Sequence, residues 1–243
     1  MRINVRWDVL RDPAASAALD AWLAAARGAG ARPLVTFDRS PRRPSYNPSP
    51  AQLAGALRGS RARHPFVREF STWNEANINK RPQTVARWYL ALRRACPSCT
   101  ILGADLLDRA NAGSWARRFV RAARRTPAVW GLHNYIDADR MSTKATRSLL
   151  RAVGGRIWFT ETGGIVRRSN GSAVRFPTGV SRAAKVTRFI FDRLARLSPR
   201  IQRVYLYHWD TGEQGGPTWD SGFVGPDGRA RPALEVLRRV LGR

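Results

Sequence analysis

The chain has 243 residues, 43% of them hydrophobic, which suffices for one sizeable core and is the size of a single α/β barrel domain. Its apolar runs are only a few residues long, so we expect no membrane span, which needs roughly 20 apolar residues. The net charge of +26 comes almost entirely from arginines that are spread over nearly every segment. We interpret this spread as a bias in amino-acid usage and expect no specific nucleic-acid partner, with affinity for acidic polymers as the second interpretation.

Short apolar strands alternate with amphipathic helices along the whole chain, which indicates βα units and a parallel sheet. Proline at the first helical position marks four helix starts, at Pro13, Pro50, Pro82 and Pro232. The first of these helices is predicted to end at Gly28 and the second near Leu57. The seven predicted strands cover residues 3–7, 33–37, 66–71, 100–103, 129–135, 156–160 and 203–208. From these seven βα units we predict a TIM (β/α)8-type barrel that forms one domain over residues 1–243.

The amino end, residues 1–8, alternates as a strand does and lacks the apolar segment of a secretory signal peptide. We therefore expect a secreted or cell-envelope protein if a signal sequence lies outside these residues. Otherwise we expect a cytoplasmic protein.

Cys96 and Cys99 form a C-x-x-C pair, and the chain has no second such pair. A tetrahedral metal site needs four ligands, whereas the three histidines fall in three different segments. We therefore expect no metal and no cofactor. A local disulfide or two inert thiols is the favoured interpretation of the pair, ahead of redox catalysis.

Two glutamates, Glu75 and Glu161, each stand directly after a predicted strand. The segments that follow the strands of a parallel barrel share one rim, and active sites are built there. Glycosidic cleavage needs one carboxylic acid to protonate the leaving oxygen and one carboxylate to attack or stabilise the anomeric carbon. The two glutamates, which belong to the third and the sixth predicted strands, are therefore the candidate catalytic pair.

The segment WNEAN at residues 73–77 resembles the W-N-E-P-N acid/base segment of clan A retaining glycoside hydrolases, particularly family 39-like and family 5-like members, with Ala76 at the usual proline. FTETG at residues 159–163 resembles the nucleophile segment of that clan. Residues 133–135 and 207–209 resemble the ends of the sixth and eighth strands of the clan. In the clan the acid/base ends the fourth strand and the nucleophile the seventh, so the resemblance implies a chain that begins at the second strand.

This resemblance implies a retaining hydrolase of a poly- or oligosaccharide, with Glu75 as general acid/base and Glu161 as nucleophile. Acidic sugars are one option for the substrate. For the two roles to coexist, Glu75 must carry a proton near neutral pH while Glu161 is ionised, which calls for unequal surroundings.

Six further residues are implied as substrate-binding or supporting residues. Asn74 would bind the sugar 2-hydroxyl, Tyr135 or His133 would orient the nucleophile, and Trp209 would form a stacking floor for a sugar. Arg6 and Asp38 stand at strand ends from which they would reach substrate. Five of the six have a structural alternative. The alternative for His133 is a hydrogen-bonded core histidine, for Tyr135 a residue that caps the barrel, and for Trp209 a residue that packs on the rim. Arg6 and Asp38 have the alternative of pairing with each other or with other rim residues.

Two other functions compete with hydrolysis. A catalytically impaired carbohydrate-binding barrel is favoured by Ala76 and by the missing first strand. A nucleic-acid-binding protein is favoured by the net charge of +26 alone, and it predicts salt-sensitive binding of random duplex DNA that mutation of the glutamates leaves unchanged.

Overall fold

The computed structural model describes residues 1–169, 176–210 and 219–242. Its strands are β1 (Arg2–Arg6), β2 (Leu34–Asp38), β3 (Glu69–Ser71), β4 (Thr100–Leu102), β5 (Asp105–Leu107), β6 (Val129–His133), β7 (Arg156–Thr162), β8 (Arg167–Arg168), β9 (Ile201–Leu206) and β10 (Trp219–Asp220). Its helices are α1 (Pro13–Gly28), α2 (Pro50–Arg63), α3 (Ala76–Asn79), α4 (Pro82–Ala95), α5 (Ala112–Ala123), α6 (Tyr135–Asp139), α7 (Lys144–Ala152), α8 (Val180–Phe189) and α9 (Pro232–Val240). Two four-stranded sheets have the orders β1-β2-β3-β4 and β5-β6-β7-β9.

Residue contacts divide the chain into two compact units. The first unit consists of Met1–Leu107, Asn111–Gly131 and Ala152–Arg156, and the second of Asp108–Ala110, Leu132–Arg151 and Ile157–Arg243. Whether the whole chain folds as the single domain expected from its length stays a prediction.

In the first unit, β1 to β4 pair in parallel, with Leu34 opposite both Arg2 and Glu69. β2 is buried over its first four residues, as a strand covered on both faces must be. Phe37 and Phe70 stack at 6.1 Å between ring centres on neighbouring strands. The sheet therefore has an aromatic core just below the ends of β2 and β3.

The predicted helix starts are confirmed at all four prolines. Asp12 caps α1 by accepting a hydrogen bond from the Ala15 N–H at 3.2 Å. The predicted end of α1 at Gly28 is also confirmed, but α2 continues to Arg63 instead of ending near Leu57. The extension follows the burial of Ser60, one turn beyond the buried Leu57.

The seven predicted strands are confirmed, with shifted ends at several of them. The strand predicted at residues 100–103 is the first half of a longer segment that is broken at Gly103 into β4 and β5. A Cβ on Gly103 would lie 2.7 Å from Cγ of Pro127 and 3.0 Å from the Trp130 ring. The break therefore occurs where the backbone must pass against these two side chains.

A second difference concerns residues 129–135, since β6 ends at His133 and Tyr135 begins the short helix α6. The carboxylate of Asp108 accepts hydrogen bonds from the N–H groups of Ile136 at 3.1 Å and Asp137 at 2.7 Å. These two bonds satisfy donors that an extended strand would have paired differently, so the chain turns into a helix.

In the second unit, β7 pairs with β9 in parallel, and β8 pairs with β10 antiparallel. Asp220 on β10 forms two hydrogen bonds with the guanidinium of Arg231, at 2.6 and 2.8 Å. α8 packs against α9 around a small cluster of Phe223, Ala233 and Leu234. Arg231, the residue directly before α9, therefore connects the start of this helix with β10.

Cys96 and Cys99 form a disulfide, which confirms the first of the two favoured interpretations of the pair. Within the described ranges, no helix combines the length and the apolar character needed to cross a membrane.

Candidate active site

Glu75 follows β3 after a short tight segment. The Thr72 hydroxyl donates to the Leu102 carbonyl at 2.7 Å, and the Asn74 N–H donates to the Phe37 carbonyl at 2.8 Å. Glu75 itself is half-buried and adopts a left-handed backbone conformation, with φ 42° and ψ 44°. Residues other than glycine rarely adopt this conformation, and such strain is often found at functional positions.

Asn74 has a defined amide orientation. Nη2 of Arg2 lies 2.8 Å from Oδ1 of Asn74, and Nδ2 of Asn74 lies 3.2 Å from Oδ2 of Asp38. A guanidinium can only donate and a carboxylate can only accept, so these neighbours fix which end of the amide is oxygen.

Asp38 lies at the end of β2 beside Asn74. Burial raises the pKa of Asp38, against a hydrogen bond from the Arg39 N–H, and the nearby charge of Glu75 raises it further. The structure therefore brings Asp38, Asn74 and Glu75 together within the first unit.

Lys80 is a neighbour of this group that the sequence analysis missed. Its Nζ lies 5.2 Å from the centre of the Trp73 ring and donates to Oδ1 of Asn47 at 2.7 Å. Burial lowers the pKa of Lys80, and the charge of Asp38 partly opposes this. The sequence offers one indication that Lys80 lies near the site. It is one of only three lysines in the chain, and it stands five residues after Glu75.

Arg6 is surrounded by partners within the first unit. Its guanidinium forms ion pairs with Asp8 at 2.6 Å and Asp12 at 2.9 Å, and it donates to the Ser40 hydroxyl at 3.1 Å. Arg6 and Asp38 also line a cavity of about 560 Å³ beside β1 and α1. The substrate contact predicted for Arg6 stays a prediction.

Glu161 lies on β7, which extends to Thr162, and is partly exposed. The Tyr135 hydroxyl donates to Oε1 of Glu161 at 3.2 Å, and Nδ1 of the fully buried His133 lies 3.7 Å from Oε2. The predicted grouping of His133, Tyr135 and Glu161 is thus present within the second unit. A donor on one carboxylate oxygen and an imidazole beside the other fix the orientation of the Glu161 carboxylate.

Aromatic residues lie in the second unit near the ends of its strands. The ring of Trp219 packs edge-on against Tyr135, with 4.9 Å between ring centres. Trp209 is 59% exposed and has one ring face near Phe223, with 6.5 Å between ring centres. An exposed indole held by a second ring offers a flat apolar surface to a ligand.

Two buried carboxyl groups with a raised pKa lie at α6. Asp139 is the last residue of this helix, and Asp108 contacts its first turn. Burial raises the pKa of each to about 7, against hydrogen bonds from backbone N–H groups. Asp108 caps the helix that begins with Tyr135, so it supports the position of the tyrosine that contacts Glu161. Neither aspartate was identified from the sequence, because their burial depends on packing between distant segments.

Several solved structures of glycoside hydrolases are similar to this chain. A family 39 glycoside hydrolase from the gut symbiont Bacteroides cellulosilyticus WH2 matches 98% of this chain with a TM-score of 0.65 and 16% identity. A glucosidase from Croceicoccus marinus matches 99% of it with a TM-score of 0.67 and 13% identity. The chain shares the TIM-barrel fold of these two solved glycoside hydrolases. An endo-1,4-beta-xylanase from Caldicellulosiruptor owensensis has the same fold, over 91% of this chain with a TM-score of 0.65 and 13% identity.

The TIM-barrel type of fold is therefore present, as the sequence predicts. The chain spans 57% of the length of the family 39 structure, 60% of the glucosidase and 81% of the xylanase. In sequence, no family model and no curated protein matches the chain. The likeness establishes the fold, and the reaction has to be argued from the residues themselves.

Proposed function

We propose that the chain is a retaining glycoside hydrolase that acts on a poly- or oligosaccharide with Glu75 as general acid/base and Glu161 as nucleophile. The observation that carries the proposal is the carboxylate of Glu161 on β7, with the Tyr135 hydroxyl on one oxygen and His133 beside the other. It is supported by Asn74 and Glu75 after β3, on a fold whose active sites are built at the carboxyl ends of the strands.

In the first step, a Glu161 oxygen attacks the anomeric carbon while Glu75 gives its proton to the departing glycosidic oxygen. This forms a glycosyl ester on Glu161 and releases the first product. In the second step, Glu75, now a carboxylate, takes a proton from water as the water oxygen attacks the same carbon. The ester bond breaks, Glu161 is regenerated, and two inversions give net retention of configuration.

The neighbouring residues have separate proposed tasks. Tyr135 and His133 keep the Glu161 oxygens oriented for attack, and Asn74 binds the 2-hydroxyl of the sugar in the transition state. Trp209 stacks against a sugar ring through its exposed indole face. Asp38 holds the Asn74 amide from the side opposite to Arg2, and Arg6 reaches substrate from the neighbouring strand end.

The test begins with covalent labelling. Incubation with aryl 2-fluoro glycosides, neutral and uronic, followed by peptide mapping, should place the label on Glu161, because the fluorine slows release of the glycosyl ester more than its formation. Label on any other residue would contradict the assignment of the nucleophile.

Single variants then separate the two roles. Glu161→Ala and Glu75→Ala should each lower kcat on unactivated oligosaccharides by roughly a thousandfold or more, and only Glu75→Ala should keep its first step on aryl glycosides with good leaving groups. The matched control is Glu235→Ala, an exposed glutamate on α9, which should leave kcat unchanged. A wild-type protein that hydrolyses nothing across a broad panel would favour the carbohydrate-binding barrel.

A further inference from the structure

A buried ion pair lies next to Asn74 within the first unit. Nη2 of Arg2 donates to Oδ2 of Asp105 at 3.0 Å and to Oδ1 of Asn74 at 2.8 Å. The side chain of Asp105 is fully buried and that of Arg2 is 8% exposed. One donor group of the guanidinium therefore connects a buried carboxylate with the amide that stands beside Glu75.

The carboxylate of Asp105 is itself held in place. The Ser71 hydroxyl donates to its Oδ1 at 2.8 Å, and the Thr36 hydroxyl donates to its Oδ2 at 3.0 Å. Both hydroxyls are fully buried. Placing two charges inside the protein is costly unless each is well paired, so a pair with this many partners defines one arrangement of Arg2.

The amide of Asn74 has one donor to spare. Its oxygen is taken by Arg2 and one N–H is directed to Asp38, while the second N–H has no partner in the described part of the chain. If the amide rotated by half a turn, its NH2 would face a guanidinium and its oxygen a carboxylate, and both contacts would become repulsive. Arg2 and Asp38 thus determine where the spare N–H points.

We propose that Arg2, fixed by Asp105, is a positioning residue that holds the Asn74 amide so that its spare N–H meets the sugar 2-hydroxyl. This inference rests on the proposed glycoside hydrolase function and assigns a positioning role to the buried pair of Arg2 and Asp105. It predicts that the contribution of Arg2 to the rate depends on the presence of the 2-hydroxyl.

The experiment compares Arg2→Met with wild type on a pair of aryl glycosides that differ only in the 2-hydroxyl. For wild type we expect kcat/KM on the 2-hydroxy substrate to exceed that on the 2-deoxy substrate by roughly a hundredfold, because the contact strengthens in the transition state. In Arg2→Met, kcat/KM on the 2-hydroxy substrate should fall by roughly tenfold or more, while that on the 2-deoxy substrate changes by less than about threefold.

Asn74→Ala provides the second arm of a double-mutant cycle. It should cause a similar selective loss, and the double variant should be no worse than Asn74→Ala alone, because the arginine acts through the amide. Additive losses would overturn the inference, and so would an Arg2→Met variant that slows both substrates equally or neither. A wild-type protein without hydrolysis would instead refute the proposed function, and this inference with it.

A second variant keeps the inference testable if Arg2→Met does not fold. Removing Arg2 alone leaves the Asp105 charge buried without its cation, which can prevent folding. Arg2→Met combined with Asp105→Asn removes both charges, and its melting temperature shows whether it folds. The inference predicts the same selective loss on the 2-hydroxy substrate for this neutral pair, and an equal loss on both substrates would overturn it.

Discussion

The hydroxyl of Tyr135 donates a hydrogen bond to Oε1 of Glu161 at 3.2 Å, across 26 positions of the chain. A neutral donor to a carboxylate is worth about 1.5–3 kcal/mol, which corresponds to a rate effect of roughly ten- to a hundredfold where the bond is needed in the transition state. We therefore expect Tyr135→Phe to lower kcat by about tenfold or more on aryl glycosides, with little change in melting temperature.

The control for this substitution is Tyr89→Phe, which removes a hydroxyl from a buried tyrosine on α4 that packs against Phe119. This change should leave kcat within about twofold of wild type, because Tyr89 takes no part in the proposed chemistry. Equal losses of kcat in the two variants would mean that the Tyr135 hydroxyl has no special place in the reaction.

The left-handed backbone of Glu75 predicts that a glycine at this position relieves backbone strain, although the catalytic carboxylate is lost. Such a conformation costs a residue with a Cβ roughly 1–2 kcal/mol, whereas glycine adopts it without this cost. Glu75→Gly and Glu75→Ala both lack the carboxylate and should both lose roughly a thousandfold or more in kcat on unactivated oligosaccharides. Glu75→Gly should nevertheless be more stable than Glu75→Ala by about 1 kcal/mol in urea unfolding. Equal stabilities of the two variants would show that position 75 carries no such strain.

The buried carboxyl of Asp139 predicts that the protein loses stability as the pH rises from about 4 to about 7. Its pKa is raised from 3.8 to about 7 by burial, with the charge of Asp108 adding to the effect of burial. Between about pH 4 and pH 7 the folded state keeps this proton while the unfolded state releases it, so the free energy of unfolding falls as pH rises through that window.

The variant Asp139→Asn isolates this effect, because Oδ2 of Asp139 has no hydrogen-bond partner in the described ranges and can be replaced by an amide NH2. The free energy of unfolding, measured in urea at several pH values between about 4 and 7, should fall less steeply with pH in the variant than in wild type. Parallel curves for the two proteins would contradict a raised pKa at this position.

The ion pair between Arg231 and Asp220 predicts a local stability difference. Both side chains are largely buried, and removing one partner from such a pair costs about 3 kcal/mol or more. The comparison is with Arg229→Met, because Arg229 is 88% exposed and its ion pair with Asp227, at 3.8 Å, is worth less than about 1 kcal/mol. In urea unfolding, Arg231→Met should be destabilised by about 3 kcal/mol and Arg229→Met hardly at all.

Much of the framework could be predicted from the sequence. Strands such as β2 and β6 are short, largely apolar and buried runs. Proline at the first helical position fixes the starts of α1, α2, α4 and α9, so both signals are local. The neighbours of Glu161 could be predicted as well, because Tyr135 and His133 lie in a segment that resembles a strand end of known hydrolases. The contact of Tyr135 with Glu161 has the predicted partners.

Other parts of the site could not be predicted, because they depend on register and packing. Arg2 and Asp105 stand 103 positions apart, and their contact follows from how β1 to β4 align and from the break before β5. The helix that begins with Tyr135 exists because Asp108, from another strand end, caps it. No periodicity within the chain records either relationship.

The break at Gly103 also constrains how this sequence can vary among related proteins. Since a Cβ at position 103 would come within 2.7 Å of Pro127 and 3.0 Å of Trp130, a larger residue there needs more room from one of these two neighbours. Relatives that keep Pro127 and Trp130 should therefore keep glycine at position 103. Relatives with alanine at that position should carry a smaller residue at 127 or 130, so that the three positions change together.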